Sequence, residues 1–125
     1  GLTRDTTKAD IVRATLESVV FLTKDLLEAM SKDNASFNSL KIDGGMGANS
    51  WFCQKLSNIL GVEVERPKII ETTSLGAAFL AGISAGLFDD LNGLKESREI
   101  ERTFFPEKES NKYLEWKKAV KKVLT

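Results

Sequence analysis

The sequence predicts an α/β fold with helices packed on a sheet. Three observations carry the prediction. Segments with helical apolar spacing alternate with short strand-like ones, and a glycine-rich turn joins one such strand to the helix after it. Hydrophobic residues make up 42% of the 125, enough for one domain with a real core spanning residues 1–125.

The elements follow in order. Thr7 with Asp10 three places on forms a capping-box-like start, which predicts a helix from about Lys8 to Ser31. Ile11, Thr15, Val19, Leu22, Leu26 and Met30 keep 3.6-residue spacing there, and Val12, Leu16, Val20 and Leu27 widen the stripe, so this helix should lie against something as large as a sheet. The stretch SKDNASFN, from Ser31 to Asn38, is turn-rich; SLKID, from Ser39 to Asp43, then sets Leu40 and Ile42 on one face of a short strand. A second helix runs from about Asn49 to Leu60 and stops at Gly61, after which VEVER alternates like a strand that Pro67 closes.

A third helix begins near Thr72 or Thr73. Its small residues Gly76, Ala77, Ala78, Ala81, Gly82, Ala85 and Gly86 predict close packing on the sheet. That packing is favoured over a membrane role, because the most apolar run, Leu75 to Phe88, stops about four residues short of a span. DDLNGLKESREIERTF, from Asp89 to Phe104, reads as a charged loop. A last amphipathic helix, at about 111–124, presents Tyr113, Trp116, Val120 and Val123 on its apolar face and Lys117, Lys118, Lys121 and Lys122 on the other. Those lysines could grip phosphate, but cations in the last turns of a solvated helix also suit its dipole, and that reading is favoured.

Eighteen basic and eighteen acidic residues cancel, so no overall field draws the chain to nucleic acid or to an anionic membrane. A single cysteine, Cys53, allows no internal disulfide, which suits a reducing compartment, and cytoplasm is the expected location. The chain has no histidine and no acid pair at a recognisable catalytic spacing. Cys53 itself, on the core side of the second helix, reads as a buried small hydrophobe rather than a nucleophile. The first residues resemble mid-protein sequence without an initiating Met, so a fragment of a longer protein is expected.

The stretch LKIDGGMGANSWFCQKL, from Leu40 to Leu56, is the candidate site. A strand that ends in Asp-Gly-Gly and feeds a helix places bare backbone and unpaired amides at one edge of a sheet, where α/β proteins bind ligands. The dinucleotide fingerprint is not met, because Gly45-Met46-Gly47-Ala48-Asn49-Ser50 ends in serine, and no Gly-Lys-Ser/Thr occurs. From spacing alone, glycines here are more often tight-turn residues than ligand contacts, and Asn49 could be a plain helix N-cap.

Four stretches in this order, Gly1 to Met30, Leu40 to Pro67, Glu71 to Phe88 and YLEWKKAV (Tyr113 to Val120), together resemble the C-terminal part of the FGGY carbohydrate kinase family. VERP (Val64 to Pro67), ETTSLGAA (Glu71 to Ala78) and WKKAV (Trp116 to Val120) resemble its glycerol-phosphorylating members in particular. The resemblance covers nearly the whole chain. It implies two actin-like (ribonuclease H-like) ATPase domains with the ligands between them, this chain being the C-terminal half of the second, with helices on a mixed sheet. It also implies that the parent protein transfers the γ-phosphoryl group of MgATP to a terminal hydroxyl of glycerol.

By that resemblance the DGGMGAN turn lies against the adenosine end of ATP or ADP, with Gly45 offering backbone, Asn49 a polar side chain, and Gly44 and Met46 nearby. Physics alone would have put phosphate at a glycine turn before a helix. No catalytic residue and no metal ligand is carried over, since the base, the glycerol contacts and the Mg and phosphate contacts belong to parts outside this chain. The segment from Phe104 to Val120 is shorter than in familiar bacterial members, so no regulatory partner is carried over there. The isolated chain is expected to be inactive, and a homo-oligomer is expected. The rival readings are a kinase for another sugar or polyol and a non-enzymatic interaction module that kept the half-fold.

Overall fold

The structure is a computed structural model that describes residues 1–33, 35–89, 99–108 and 112–124. Helix α1 spans Lys8–Lys32 and begins with the capping box read from the sequence. Thr7 N–H donates to Asp10 Oδ2 at 2.9 Å and Asp10 N–H donates to Thr7 Oγ1 at 3.2 Å, satisfying two amides that the first turn leaves over.

Strand β1 (Ser39–Lys41) leads through a glycine turn into α2 (Ser50–Leu60), and α2 leads into β2 (Glu63–Pro67). β1 and β2 pair in parallel with Leu40 opposite Val64, so α2 is the crossover that a parallel pair requires. Gly61 stops α2 at φ 73°, a conformation that glycine adopts without the cost other residues meet. Helix α3 follows at Thr72–Ser84.

A third strand, β3 (Ile100–Phe104), pairs antiparallel with β2, placing Phe104 opposite Val64 and giving the mixed order β1-β2-β3. This corrects the loop reading of Asp89 to Phe104; its residues 90–98 lie outside the described ones. The strand escaped notice because it is a sheet edge: Ile100, Glu101 and Arg102 are exposed and Phe104 alone is buried, so no apolar alternation marks it. Helix α4 covers Tyr113–Leu124.

The core joins Val20 and Phe21 of α1, Phe52, Cys53, Leu56 and Ile59 of α2, Val64, Phe104 and Tyr113. Each large apolar side chain buried there contributes roughly 1.5 to 3 kcal/mol. Ser57, fully buried on α2, aims its hydroxyl at Val62 O (2.8 Å) and Phe104 O (3.0 Å), tying the helix to the end of the β2–β3 pair where β2 begins and β3 finishes.

The broad stripe of α1 is not buried as expected. Its contact with α2 runs through Glu17, Val20 and Phe21, while Ile11, Leu22 and Leu26 are 52%, 55% and 59% exposed. The reason is direction: at about 3.6 residues per turn, Ile11, Leu22 and Leu26 stand on a different side of α1 from Glu17, Val20 and Phe21. Periodicity marks a face as apolar but does not say what covers it. The small residues of α3 depart in the same way, since Ala77, Ala78, Ala81 and Ala85 are exposed. Gly82 alone is used for close approach, by Phe88, whose ring lies 2.6 Å from where a Cβ would stand and stacks on Phe79 at 4.2 Å.

Helix α4 docks on α1 through Asp25, which accepts from Tyr113 Oη at 2.5 Å and Trp116 Nε1 at 3.1 Å. Burial works against the carboxylate, but these two donors and Lys117 hold Asp25 below the usual aspartate range, and burial together with Asp25 pushes the Tyr113 hydroxyl upward. Lys117, expected on the solvent side, pairs with Glu28 at 2.7 Å, and Val123, expected on the apolar face, is 85% exposed.

Between α1 and α2 lies a charge pair that apolar patterning could not foretell. Lys55 Nζ is 3.1 Å from Glu17 Oε1, both side chains are about nine-tenths buried, and Arg13 Nε meets the same oxygen at 2.9 Å. Removing one member of such a pair strands the other, whereas replacing both need cost little. Lys55→Met is therefore expected to destabilise the chain by about 2 to 3 kcal/mol, with Arg13 still facing the carboxylate, and Glu17→Leu/Lys55→Met to recover most of that loss. Denaturant midpoints check this; a single variant as stable as the original chain contradicts it.

Candidate functional site

The glycine turn leaves the carboxyl end of β1, beside the parallel strand β2, where ligands of α/β sheets gather. Two contacts fix its entry. Gly44 N–H donates to Ile70 O at 2.8 Å, and the Thr72 hydroxyl at the start of α3 donates to the Asp43 carboxylate. The backbone then reverses at Gly44, with φ 76° and ψ 177°, outside the range that residues with a Cβ adopt readily.

Gly45–Ala48 form one turn of 3₁₀ helix, closed by Gly47 N–H on Gly44 O at 3.0 Å and continued by Asn49 N–H on Met46 O at 3.1 Å. The N–H groups of Gly45 and Met46 have no hydrogen-bond partner among the described residues. Gly47 is buried over Ile42, whose side chain stands 3.6 Å from a would-be Cβ. Asn49 then caps α2: its Oδ1 accepts from Phe52 N–H at 3.2 Å. The cap occupies the oxygen of that amide, so Nδ2 remains a donor for something else.

Gly45, Met46 and Asn49 are exposed and Gly44 is half-buried, so the four residues singled out in the sequence share one surface stretch. Gly45 is the informative member. Its φ lies outside the left-handed region and a Cβ there would meet nothing within 4 Å, so this turn does not itself require a glycine. Close approach of a ligand to bare backbone would require one.

Behind the turn stands a residue that the sequence places in a strand and in the VERP stretch but not at the site. Arg66 of β2, 7% exposed, directs Nη1 to Gly47 O (3.2 Å), Ala48 O (3.3 Å) and Ser50 Oγ (3.2 Å). Glu101 of β3 holds its other side: Oε1 accepts from Nη2 at 3.2 Å, and Oε2 makes a charge contact, not a hydrogen bond, with Nε at 2.9 Å. The signal for it was an arginine on the inward phase of an alternating strand. Cys53 also serves the turn, donating through Sγ to Gly47 O at 3.2 Å; it is fully buried, and burial pushes its thiol up despite the nearby Arg66. That suits packing, not nucleophilic attack.

Among the described residues no three of His, Cys, Asp and Glu converge as a metal cluster would. Cavities of about 290, 310 and 530 Å³ lie between α1 and α4, along the outer face of α2, and beside the start of α1, away from the turn. No helix among the described residues is long and apolar enough to cross a membrane.

A parallel strand pair with an open glycine turn at its carboxyl end and a capped crossover helix is the arrangement at which open α/β sheets commonly bind ligands. Residues 1–85 match the FGGY family of carbohydrate kinases, C-terminal domain, and the chain belongs to that family. A glycerol kinase from Coxiella burnetii is 48% identical over 129 residues, covering 100% of this chain and 26% of that protein. A Plasmodium falciparum glycerol kinase solved with ADP superposes with TM-score 0.78 at 33% identity, covering 100% of this chain and 26% of that one. A ligand-bound xylulose kinase from Lactobacillus acidophilus superposes with TM-score 0.68 at 27% identity, over 86% of this chain and 22% of that one. The chain thus spans about a quarter of the length of these relatives, and its fold is a part of their actin-like ATPase fold.

The two adjacent glycines separate backbone need from ligand need. Gly44→Ala is expected to destabilise the chain by about 1 to 2 kcal/mol through its positive φ, and Gly45→Ala to leave stability within about 0.5 kcal/mol. Thermal melts of both variants check this; equal losses would show that Gly45 serves the turn as Gly44 does.

Proposed function

We propose that this segment forms the adenosine-facing wall of a kinase that transfers the γ-phosphoryl group of MgATP to a terminal hydroxyl of glycerol, giving glycerol 3-phosphate. The observation that carries the reading is the level of similarity: 48% identity to a glycerol kinase across the whole chain and, among solved structures, 33% to a glycerol kinase against 27% to the xylulose and gluconate kinases. A kinase for another polyol or sugar therefore comes second.

At the turn, Gly45 presents backbone that a flat heterocycle can approach, and Asn49 presents Nδ2 beside it. Gly44 sets the reversal that brings them to the surface, and Met46, 41% exposed, offers an apolar side chain next to them. The adenosine end of ATP or ADP, in place of the phosphates that a glycine turn before a helix suits on physical grounds alone, is proposed here from the family resemblance of the turn. The nucleotide supplies the phosphoryl group when bound. What this segment does is hold and orient one end of it, which matters because such transfer depends on in-line positioning.

The catalytic base, the acceptor contacts and the residues that hold Mg would lie in the part of the protein beyond this segment, so the isolated segment is inactive. We further propose a cytoplasmic, homo-oligomeric protein with no nucleic-acid or membrane partner.

Asn49 tests the reading in the full-length protein. Asn49→Asp keeps an N-cap oxygen but replaces the Nδ2 donor, whereas Asn49→Leu removes both. If the donor contributes about 1 to 2 kcal/mol, KM for ATP should rise roughly five- to thirtyfold in both, with KM for glycerol unmoved and the melting temperature lowered in Asn49→Leu alone. Unchanged KM for ATP in both variants would leave Asn49 a helix cap and nothing more.

A further inference from the structure

We infer that Arg66 is a positioning residue for the nucleotide, acting through the backbone of the glycine turn and not by touching the ligand; the inference rests on the nucleotide-facing reading of that turn. Arg66 sits in the central strand, and its guanidinium lies beneath the turn with Nη1 within 3.3 Å of the carbonyls of two consecutive residues, Gly47 and Ala48, and 3.2 Å from the Ser50 hydroxyl. Those three groups stand between Gly45 and Met46 on one side and the body of α2 on the other. With both carbonyls fixed to β2, the peptide planes between them cannot rotate, so the exposed residues of the turn keep one height and orientation above the sheet.

A salt bridge alone would not produce this arrangement. Glu101 satisfies the opposite side of the guanidinium and is itself 50% exposed, so the buried charge has its counterion from β3. The turn-facing nitrogen is committed to backbone oxygens. The guanidinium also lies over the Phe104 ring, 5.3 Å from its centroid, which fixes its plane. A planar fork held on both sides can brace two carbonyls and pair with a carboxylate at once; a lysine, with one point charge on a flexible stem, cannot. Groups that contact a ligand work best when the shell behind them is locked, and Arg66 with Glu101 is that shell for the turn.

The test uses the full-length kinase, with KM for ATP, KM for glycerol, kcat and melting temperature measured for Arg66→Lys, Arg66→Met and Glu101→Gln, and Asn49→Asp run alongside. Arg66→Met should raise KM for ATP about tenfold, the scale of a sub-ångström misplacement, and Arg66→Lys about threefold, with KM for glycerol and kcat at saturating ATP unchanged within about twofold. Glu101→Gln should shift KM for ATP in the same direction by less, which keeps the inference testable if Arg66→Met does not fold. A lower melting temperature with KM for ATP unmoved in Arg66→Lys and Glu101→Gln makes Arg66 merely structural and overturns the inference, as does an equal rise in both KM values. If Asn49→Asp raises KM for ATP while the Arg66 variants do not, the positioning role alone falls. If none of the four moves it, the nucleotide-facing reading falls and takes this inference with it.

Discussion

Helix α2 is held on two sides at once, and the rest of the molecule is arranged around that constraint. Its Phe52, Cys53, Leu56 and Ile59 enter one core with Val20 and Phe21 of α1, Val64 and Phe104; Ser57 ties it to the sheet at Phe104 O, and Lys55 ties it to α1 at Glu17. A helix of 11 residues is too short to be stable alone, so these contacts are what make it a helix in the folded chain. Once α2 is fixed, so are its ends. Gly61 turns the chain into β2, and Asn49 marks where the glycine turn must finish. The turn therefore spans a gap whose two sides, β1 and α2, are both rigid. Arg66 reaches across from β2 to brace the middle. The site is built from packing first and polar contacts second.

The faces that find no cover within the described residues fit the same picture. The Ile11, Leu22 and Leu26 side of α1 and the alanine side of α3 are apolar or small, yet exposed. A monomer rarely leaves such surface open without use. The relatives this chain matches are about four times as long, which supplies material of the right kind to cover both. The glycine turn lies at the carboxyl end of the parallel pair, the edge of an α/β sheet at which ligands commonly bind.

Much of this was legible in the sequence where a single local rule governs. Thr7 with Asp10, Asn49 before an apolar run, Gly61 after one, and Pro67 at a strand end each carry a mechanism that needs only neighbouring residues, and each stands where the sequence put it. What failed depended on partners distant in sequence. β3 is a strand because β2 offers it an edge, and its exposed charged residues gave no pattern to read. The stripe on α1 was seen, but its direction was not, because Glu17 and Val20 face α2 while stronger hydrophobes nearby face outward. At the site, Gly44, Gly45, Met46 and Asn49 were visible as a glycine turn before a helix, whereas Arg66 and Glu101, 17 and 52 residues further on than Asn49, become part of it only when the sheet forms.

A crystal structure of the full-length protein with ADP would test the central claim most directly. The adenosine should lie in van der Waals contact, within about 4 Å, of the Gly45 backbone and the Asn49 amide, with Arg66 still bound to the carbonyls of Gly47 and Ala48. An adenosine bound elsewhere in the cleft, with the turn open to solvent, would contradict it.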